Sequence, residues 1–590
     1  LLNVAIERGA LDALVQNGGL IAADGGHVLL SAQAAGALLG GMVNNTGVIQ
    51  ARTVENRNGV IKLLGDMQTG TVKAGGALDA SAPAGGDGGF IETSAAHVKL
   101  ADDVNITTTA ARGITGTFLI DPQDYSIGGV GADIAPAALV VLLNQTSVVI
   151  STDASGPAST PSENHLYASV AGLGDINVKE AVSWGAATTL TLKAAHDVNI
   201  DAAITANTGN FVVCCGNDIN IGTGGTVTTT SGSMLLSAGR NVNLSGTLTA
   251  TSGNIAVCAA KDIDIKLGGT ITLTNGSTIP SQSLIGLGVR EGLTLSAGYD
   301  AHQPGAAGGT VKFASLSQAT VTNAPITIFY NPVTYQAGAA APQSYAGNFV
   351  QTSAPLRQYM WVFPEAAPSV YNGSTEVVLT SLKDAPAGVT LNNAGGVANY
   401  LNAEVGTDKV IAFSGYTIGY AGLDAQGAQY ALPVSCCAPI VSTTSGTMLA
   451  AVPPPVVVPP PVVVPPPVVV PPPVVVPPPV VVPPPVVVPP PVVVPPPVVV
   501  PPVEIPPPVE IPPPVEIPPP VVIPPVVVPP FPPITSPLPP NLTFVRPVYP
   551  LSQLVVVEAP LARPVEIEPV PVPAPAPYVA PVRPPKQDRN

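Results

Sequence analysis

Carboxylate and amide side chains recur at a nearly constant interval in the middle of the chain, and they are its clearest candidates for chemistry. The motif Asp175-Ile176-Asn177-Val178 returns every 21 to 23 residues, with later copies that begin at Asp197, Asp218, Asn241 and Asp262. Carboxylates stacked on one face could bind Ca²⁺ or act as general acid and base. A site requires a cluster that breaks the repeat, whereas these side chains return in every copy. We therefore interpret them as stacking and turn residues and predict neither a metal site nor a catalytic site.

The histidines give no further site. His27, His97, His165, His196 and His302 are scattered, without the His-x-x-x-His spacing or cysteine partners of a zinc site. The sequence also lacks a Gly-x-Ser-x-Gly elbow, a Walker loop and a dinucleotide-binding glycine motif between a strand and a helix. We predict that the chain binds no cofactor and is not an enzyme.

The five cysteines are too few for a disulfide framework. Cys214 and Cys258 occupy the same column of the repeat two copies apart. That separation is about 9.6 Å, beyond the ~7 Å limit between disulfide Cα atoms, so they should not be bonded to each other. Cys215 replaces a core alanine and is predicted to pack. Cys436 and Cys437 are interpreted as free or vicinal thiols, with a cross-link between chains as the alternative.

The repeat that carries these residues predicts the fold. Successive side chains of a strand point to opposite faces, so the apolar column should face inwards and the amide column beside it outwards. The apolar column is Ile176, Val198, Ile219, Val242 and Ile263, and the neighbouring polar column is Asn177, Asn199, Asn220, Asn243 and Asp264. Upstream columns at Leu192 and Ala194 should also face in, and the column between them, at Lys193, should face out. One repeat cannot bury its apolar column alone, but stacked coils can. We predict an all-β fold, with a right-handed parallel β-helix over residues 1–330.

The rest of the chain is predicted to change character several times. Residues 331–366 should form a connector, 367–435 a small β module with turns at Asn372-Gly373 and Gly406, and 436–452 a linker. Residues 453–590 hold 56 of the 72 prolines, and Pro-Pro-Pro-Val-Val-Val occurs eight times in succession from Pro453. Proline triplets exclude helix and sheet. This segment is therefore expected to be a polyproline II stalk with a disordered tail.

The composition and charge of the chain limit the classes of partner that it can bind. Only 10% of the residues are charged, and the net charge is −15. This argues against nucleic acid and against anionic membrane surfaces as partners. The apolar run at 135–143 is about half of the ~20 residues that a spanning helix needs, so no transmembrane segment is expected. Because the sequence begins at Leu1 without a signal pattern, an export signal is expected upstream.

Several motifs resemble those of the filamentous-haemagglutinin-like exoproteins of two-partner secretion. The matching stretches lie in residues 1–300 and include Asn44-Asn45-Thr46-Gly47-Val48-Ile49-Gln50-Ala51, Gly89-Phe90-Ile91-Glu92-Thr93-Ser94, and Gly116-Thr117-Phe118-Leu119-Ile120-Asp121-Pro122. The segment from Tyr371-Asn372-Gly373 to Leu432 resembles the YDG or MBG-type module of bacterial surface proteins, with Asn372 where that motif usually has Asp. The amino-terminal secretion domain of the family, with its Asn-Pro-Asn motifs, is absent from this chain.

The resemblance implies a secreted or surface-exposed adhesin of a Gram-negative bacterium. Its implied partners are an outer-membrane transporter, engaged by the missing upstream domain, and host or bacterial surface ligands, with glycans among them. Two alternatives stay open at this point. One is a carbohydrate-active β-helix enzyme, which would require a cleft with convergent Asp, Lys and Arg. The other is a carrier of a contact-dependent toxin, which usually ends in a globular toxin after a Val-Glu-Asn-Asn junction. Here Val54-Glu55-Asn56 is followed by Arg57.

Overall fold

The computed structural model describes residues 2–6, 14–32, 42–67, 69–152, 174–276, 279–335, 344–351, 356–420, 429–437 and 440–450. The predicted stalk and tail at 453–590 lie outside the described residues, as does His165.

The amino-terminal coils are built from short strands with one helix between the last two. In chain order they are β1 (Leu2–Ile6), β2 (Leu14–Asn17), β3 (Leu20–Ala22), β4 (His27–Ala32), β5 (Met42–Asn45), β6 (Val48–Gln50), β7 (Val60–Leu64), β8 (Thr71–Ala74), β9 (Ala77–Asp79), β10 (Phe90–Ser94), β11 (His97–Leu100), β12 (Asn105–Thr107), β13 (Thr117–Asp121), β14 (Tyr125–Ile127), α1 (Pro136–Leu143) and β15 (Ser147–Ser151).

The following coils continue the pattern through the sequence repeat. Their elements are β16 (Ile176–Val178), β17 (Val182–Trp184), β18 (Thr189–Ala194), β19 (Val198–Ile200), β20 (Ile204–Ala206), β21 (Asn210–Cys215), β22 (Ile219–Ile221), β23 (Thr226–Thr229), β24 (Met234–Ala238), β25 (Val242–Leu244), β26 (Thr247–Ala250), β27 (Ile255–Ala259), β28 (Ile263–Ile265), β29 (Thr270–Leu273), α2 (Gln282–Ile285), β30 (Leu293–Ala297), β31 (Val311–Phe313), β32 (Ala319–Val321), β33 (Ile326–Tyr330), a 3₁₀ turn (Ala346–Asn348), β34 (Phe349–Gln351) and β35 (Leu356–Trp361).

All of the carboxyl-terminal strands except β43 form smaller sheets. They are β36 (Pro364–Ala366), β37 (Ser369–Val370), β38 (Leu379–Leu382), β39 (Val389–Asn392), β40 (Val397–Tyr400), β41 (Gly406–Ser414), β42 (Thr417–Tyr420), β43 (Gln429–Ala431) and β44 (Ser442–Leu449).

The predicted parallel β-helix is confirmed. Within the residues that the structure describes, sheet 1 has 14 strands in the order β1-β4-β7-β10-β13-β15-β18-β21-β24-β27-β30-β33-β35-β43. Sheet 2 has seven, β14-β16-β19-β22-β25-β28-β31, and sheet 3 has seven, β17-β20-β23-β26-β29-β32-β34. Two four-stranded sheets, β11-β8-β5-β2 and β12-β9-β6-β3, complete the first coils. Most coils therefore give one strand to each of three faces, and the core lies between the faces. The coil between β13 and β15 has α1 in place of its third strand, and the coil between β33 and β35 has β34 alone.

The register of sheet 2 places the apolar column of the repeat in one internal file. Ile176 pairs with Val198, Val198 with Ile219, Ile219 with Val242, and Val242 with Ile263. All five side chains are at most 1% exposed. Because a strand alternates its faces, the amide column beside them points away from the core.

Glycine permits the close stacking of one turn. A Cβ atom on Gly232 would lie 1.7 Å from the carbonyl oxygen of Gly209, and one on Gly253 would lie 1.8 Å from that of Gly232. These distances are far inside van der Waals contact with backbone atoms that cannot move aside. The three glycines therefore set how tightly successive coils approach between sheets 3 and 1.

The boundaries differ from those predicted for the connector and the linker. The β-helix does not end at residue 330, because β34 and β35 of the predicted connector pair in parallel with β32 and β33. Strand β43, inside the predicted module, pairs with β35 and extends sheet 1. In the predicted linker 436–452, β44 pairs antiparallel with β41. Long insertions between coils hide these strands from a repeat search.

Candidate functional surfaces

The acidic column at the turn before sheet 2 is a ladder of backbone caps. Asp175 Oδ1 accepts the N–H of Asp197 at 3.1 Å, and Asp197 Oδ1 accepts the N–H of Asp218 at 2.9 Å. The same contact recurs between Asp218 and Asn241 at 3.0 Å. Each side chain thus satisfies a donor of the next coil.

The ladder extends beyond the repeat that revealed it. Asp124 Oδ1 accepts the N–H groups of Gly174 and Asp175 at 2.6 and 2.9 Å, so Asp124 forms the first step. At the other end, Asp262 Oδ1 accepts the N–H of Thr310 at 3.0 Å. The repeat in the sequence does not reveal Asp124 as a ladder residue, because 51 residues separate it from Asp175.

Two steps of the ladder also carry ion pairs. Arg240 binds Asp218, with Nε to Oδ1 at 2.8 Å, and Lys312 Nζ lies 2.8 Å from Asp262 Oδ2. Burial by itself would raise the pKa of Asp218, but hydrogen bonds from Arg240 and Asn241 outweigh it, and the pKa is lowered. The pKa of Asp262 is lowered in the same way, by Lys312 and the Thr310 N–H against burial. Both carboxylates are thereby held in the charged form.

Among the described residues, one group has the composition and spacing of a metal site: Asp175, His196 and Asp197. His196 Nδ1 lies 2.8 Å from Asp175 Oδ1 and 3.8 Å from Asp197 Oδ1. The carboxylate oxygens that would bind a cation already accept backbone N–H groups, and the Asn217 amide donates to Asp197 Oδ1 at 2.7 Å. The group is therefore accounted for by the ladder, and we assign it no metal.

The other described histidines are apart from this group. His302 Nε2 pairs with Asp300 at 2.8 Å, and His27 and His97 are the exposed first residues of β4 and β11. They lie on different coils from His196 and contribute to no shared site.

The outward face of sheet 2 is an amide ladder. Asn199 Nδ2 donates to Asn177 Oδ1 at 3.0 Å, Asn220 to Asn199 at 2.9 Å, and Asn243 to Asn220 at 2.9 Å. The next strand has Asp264 in register with Asn243. Asn side chains stacked in this way hydrogen-bond to one another.

From β21 to β35, the outward face of sheet 1 is covered by apolar side chains. Phe329 stacks between Tyr359 and Trp361, with centroid distances of 5.0 and 4.7 Å. Leu284 of α2 and Val212 of β21 belong to the same buried cluster. The column at Lys193 does point away from the core, but its members Ser237 and Cys258 are fully buried under this cover.

Two disulfides fasten the cover, and they correct our interpretation of the carboxyl-terminal cysteines. Cys437 is bonded to Cys214 and Cys436 to Cys258, each with a Cα–Cα distance of 6.2 Å. Cys436 and Cys437 are therefore neither free nor bonded to each other. Cys437 has a φ of 67°, a left-handed conformation uncommon outside glycine, in the segment that brings both sulfurs to the column. As expected, Cys214 and Cys258 are not bonded to each other, and Cys215 is buried with a free thiol.

A buried ion pair lies further along the same face. Glu92 is 1% exposed, its carboxylate is 2.7 Å from Lys62 Nζ, and it accepts a hydrogen bond from Ser94 Oγ at 2.9 Å. Lys62 also lies over the Phe90 ring, 5.6 Å from its centroid. All four residues are neighbours on β7 and β10, which pair in parallel.

The chain matches no family model, no curated protein and no solved structure at the level required for a match. Within the described residues, every helix is too short or too polar to cross a lipid bilayer.

Proposed function

We propose that this chain is part of a secreted or surface-exposed adhesin, related in kind to the filamentous-haemagglutinin-like exoproteins that its motifs resemble. Its role is attachment to host or bacterial surfaces, with glycans among the ligands. An outer-membrane transporter of the two-partner type is the proposed export partner, and no catalytic step is part of the proposal.

The observation that carries the proposal is the pair of disulfides that join the segment 429–437 to the outward face of a parallel β-helix. Disulfides persist in oxidising compartments and are rare in the cytosol, so Cys214–Cys437 and Cys258–Cys436 favour a location outside the cytoplasm.

The surface chemistry supports adhesion over catalysis. The stacked carboxylates, which are the best candidates for an acid–base pair, are engaged in capping the next coil. The outward faces instead repeat the same side chain from coil to coil, as Asn177, Asn199 and Asn220 do. A repeated surface can hold an extended ligand by many weak contacts, and such contacts add up when they engage together.

Attachment can be tested in the producing bacterium with a gene deletion and complementation. We expect the deletion strain to attach less to its target cells and the full chain to restore attachment. Unchanged attachment by the deletion strain would overturn the adhesive role. Export is tested separately on the complemented strain. A protease added outside intact cells, in a buffer without thiol reagents, should degrade the chain. Full protection in cells whose outer surface is accessible to a control protease would overturn the proposed location.

Ligand class is tested with the purified, oxidised chain on a glycan array. Retention by a defined set of glycans would support a glycan ligand. Retention by none, together with binding to protease-sensitive cell surfaces, would replace glycans with a protein receptor.

A further inference from the structure

Sheet 3 presents a surface of one chemical kind. In six successive strands, β17, β20, β23, β26, β29 and β32, every outward-facing residue is serine or threonine. These residues are Ser183, Thr205, Thr226, Thr228, Thr247, Thr249, Thr270, Thr272 and Thr320. We call this surface the threonine array.

The register arranges the array in two straight files. Thr226 pairs with Thr247 and Thr247 with Thr270, which makes one file. The second file has no bulge, and its members in order are Ser183, Thr205, Thr228, Thr249, Thr272 and Thr320. Neighbouring hydroxyls lie about 4.8 Å apart along a file and about 6.6 Å apart between files, from the standard strand spacing and rise. The result is a two-dimensional lattice of hydroxyl and methyl groups.

The array differs from the other two faces because its polar groups are free. The outward face of sheet 1 is covered from β21 to β35, and the amides of sheet 2 bond to one another. Within the part of the chain that the structure describes, none of the nine array hydroxyls has a hydrogen-bond partner. The array also contains no charged and no aromatic side chain.

The lattice is held rigidly from below. The side chains between the array residues point into the core, and Val227, Leu248 and Ile271 are at most 1% exposed. Threonine is itself stiff at χ1, so its hydroxyl and methyl groups keep their places when the backbone is fixed. A rigid array loses little entropy when it binds a matching surface.

The ligand chemistry follows from the lattice. A charged ligand would find no counter-charge, and a single sugar would find neither a ring to stack on nor a pocket. A ligand that fits must itself be flat and must present oxygen atoms at two regular repeats. The repeats of the array are close to those between oxygen atoms on a prism face of hexagonal ice. The threonine methyl groups provide the apolar part that favours ordered water between them.

We infer that the threonine array of sheet 3 is an ice-binding surface, with Thr226, Thr228, Thr247, Thr249, Thr270 and Thr272 as its centre. Water molecules ordered by the hydroxyls of both files would join the ice lattice, and the outward face of sheet 3 would lie against the crystal. This inference goes beyond the proposed adhesive role, whose argument names the amides of sheet 2 and none of these hydroxyls.

The test uses the purified, oxidised full chain and ice as the probe. Labelled on its amines, the chain should be concentrated into a growing ice hemisphere, and it should slow recrystallisation in a frozen film. Thr249→Tyr lies at the centre of the array and should abolish both effects. Thr191→Tyr places the same residue on an outward position of sheet 1 and should leave both effects unchanged.

Two isosteric changes separate lattice matching from loss of the fold. Thr249→Val keeps the methyl group and puts a second methyl group in place of the hydroxyl, and Thr228→Val/Thr249→Val does so at two positions. With unchanged circular dichroism and melting temperature, we expect a partial loss of ice affinity in the single variant and a larger loss in the double one. Exclusion of the wild-type chain from ice, or ice uptake of Thr249→Tyr equal to wild type, would overturn the inference. Binding to crystalline cellulose without uptake into ice would also overturn it and would assign the array to a polysaccharide surface.

Discussion

Cys437 is bonded to Cys214 although 223 residues separate them along the chain. Together with the bond between Cys436 and Cys258, this joins the segment 429–437 to the outward face of sheet 1. The apolar cluster around Phe329 and Trp361 is fastened at the same place.

Removal of the disulfides should loosen this cover. A disulfide of such long span typically contributes about 2–4 kcal/mol, mainly by restricting the unfolded chain. We expect Cys436→Ser/Cys437→Ser to lower the free energy of unfolding in urea, and to make the segment 429–437 sensitive to protease before the β-helix unfolds. Reduction of the wild type should reproduce both effects.

Cys215 provides the matched control. Its thiol is buried and burial raises its pKa, so it should react with iodoacetamide only after unfolding. Cys215→Ala, which restores the alanine of the other coils, should leave protease sensitivity unchanged. Rapid labelling of more than one thiol in the native, unreduced chain would contradict the disulfide pairing.

The internal file of sheet 2 should be sensitive to loss of volume. Ile219→Ala removes a fully buried side chain between Val198 and Val242 and should cost about 2–5 kcal/mol in urea unfolding. Asn220→Ala, one residue later on the outward face, breaks one amide ladder contact on each side and should cost about 1 kcal/mol. Equal costs for the two variants would contradict the assignment of faces.

The stability of the fold around the buried Glu92 carboxylate should depend on Lys62. Lys62→Met leaves a carboxylate that is 1% exposed without its cation, and we expect a loss on the order of 2–3 kcal/mol, below the range for fully buried pairs because Lys62 is 27% exposed. Lys62→Met/Glu92→Leu should recover most of that loss, since no unpaired charge remains. Thermal melts of the single and double variants measure this difference, and a double variant less stable than the single one would contradict it.

Acid should weaken the capping ladder. Because hydrogen bonds lower the pKa of Asp218 below its value in the unfolded chain, the carboxylate contributes stability above about pH 4 and loses it as the pH falls through the folded-state pKa. We expect Arg240→Met to reduce this acid-dependent part of the free energy of unfolding, measured in urea at a series of pH values. Arg357→Met removes the same charge from an arginine of β35 and should leave the pH dependence unchanged.

How far the sequence predicts the structure depends on the range of the interactions. The faces of Ile219 and Asn220 could be predicted because a stacked repeat converts sequence columns into spatial files. The partners of Cys436 and Cys437 could not, because column spacing says nothing about a segment that returns from outside the repeat. The sequence predicts a connector at β35 because an insertion separates this strand from β33. The threonine array was not predicted, because only the register and the unpartnered hydroxyls distinguish it from the neighbouring faces.

The carboxylate of Asp197 accepts a hydrogen bond from a backbone N–H of the following coil, and the backbone N–H of Asp197 donates to Asp175 of the preceding coil. Every such coil thus carries both an acceptor for the coil after it and a donor for the coil before it. A mutation that duplicates or deletes one whole coil would therefore preserve the capping hydrogen bonds to the coils on either side. The length of this β-helix can therefore change in evolution by one coil at a time, because no new capping contacts are needed at the ends of an inserted coil.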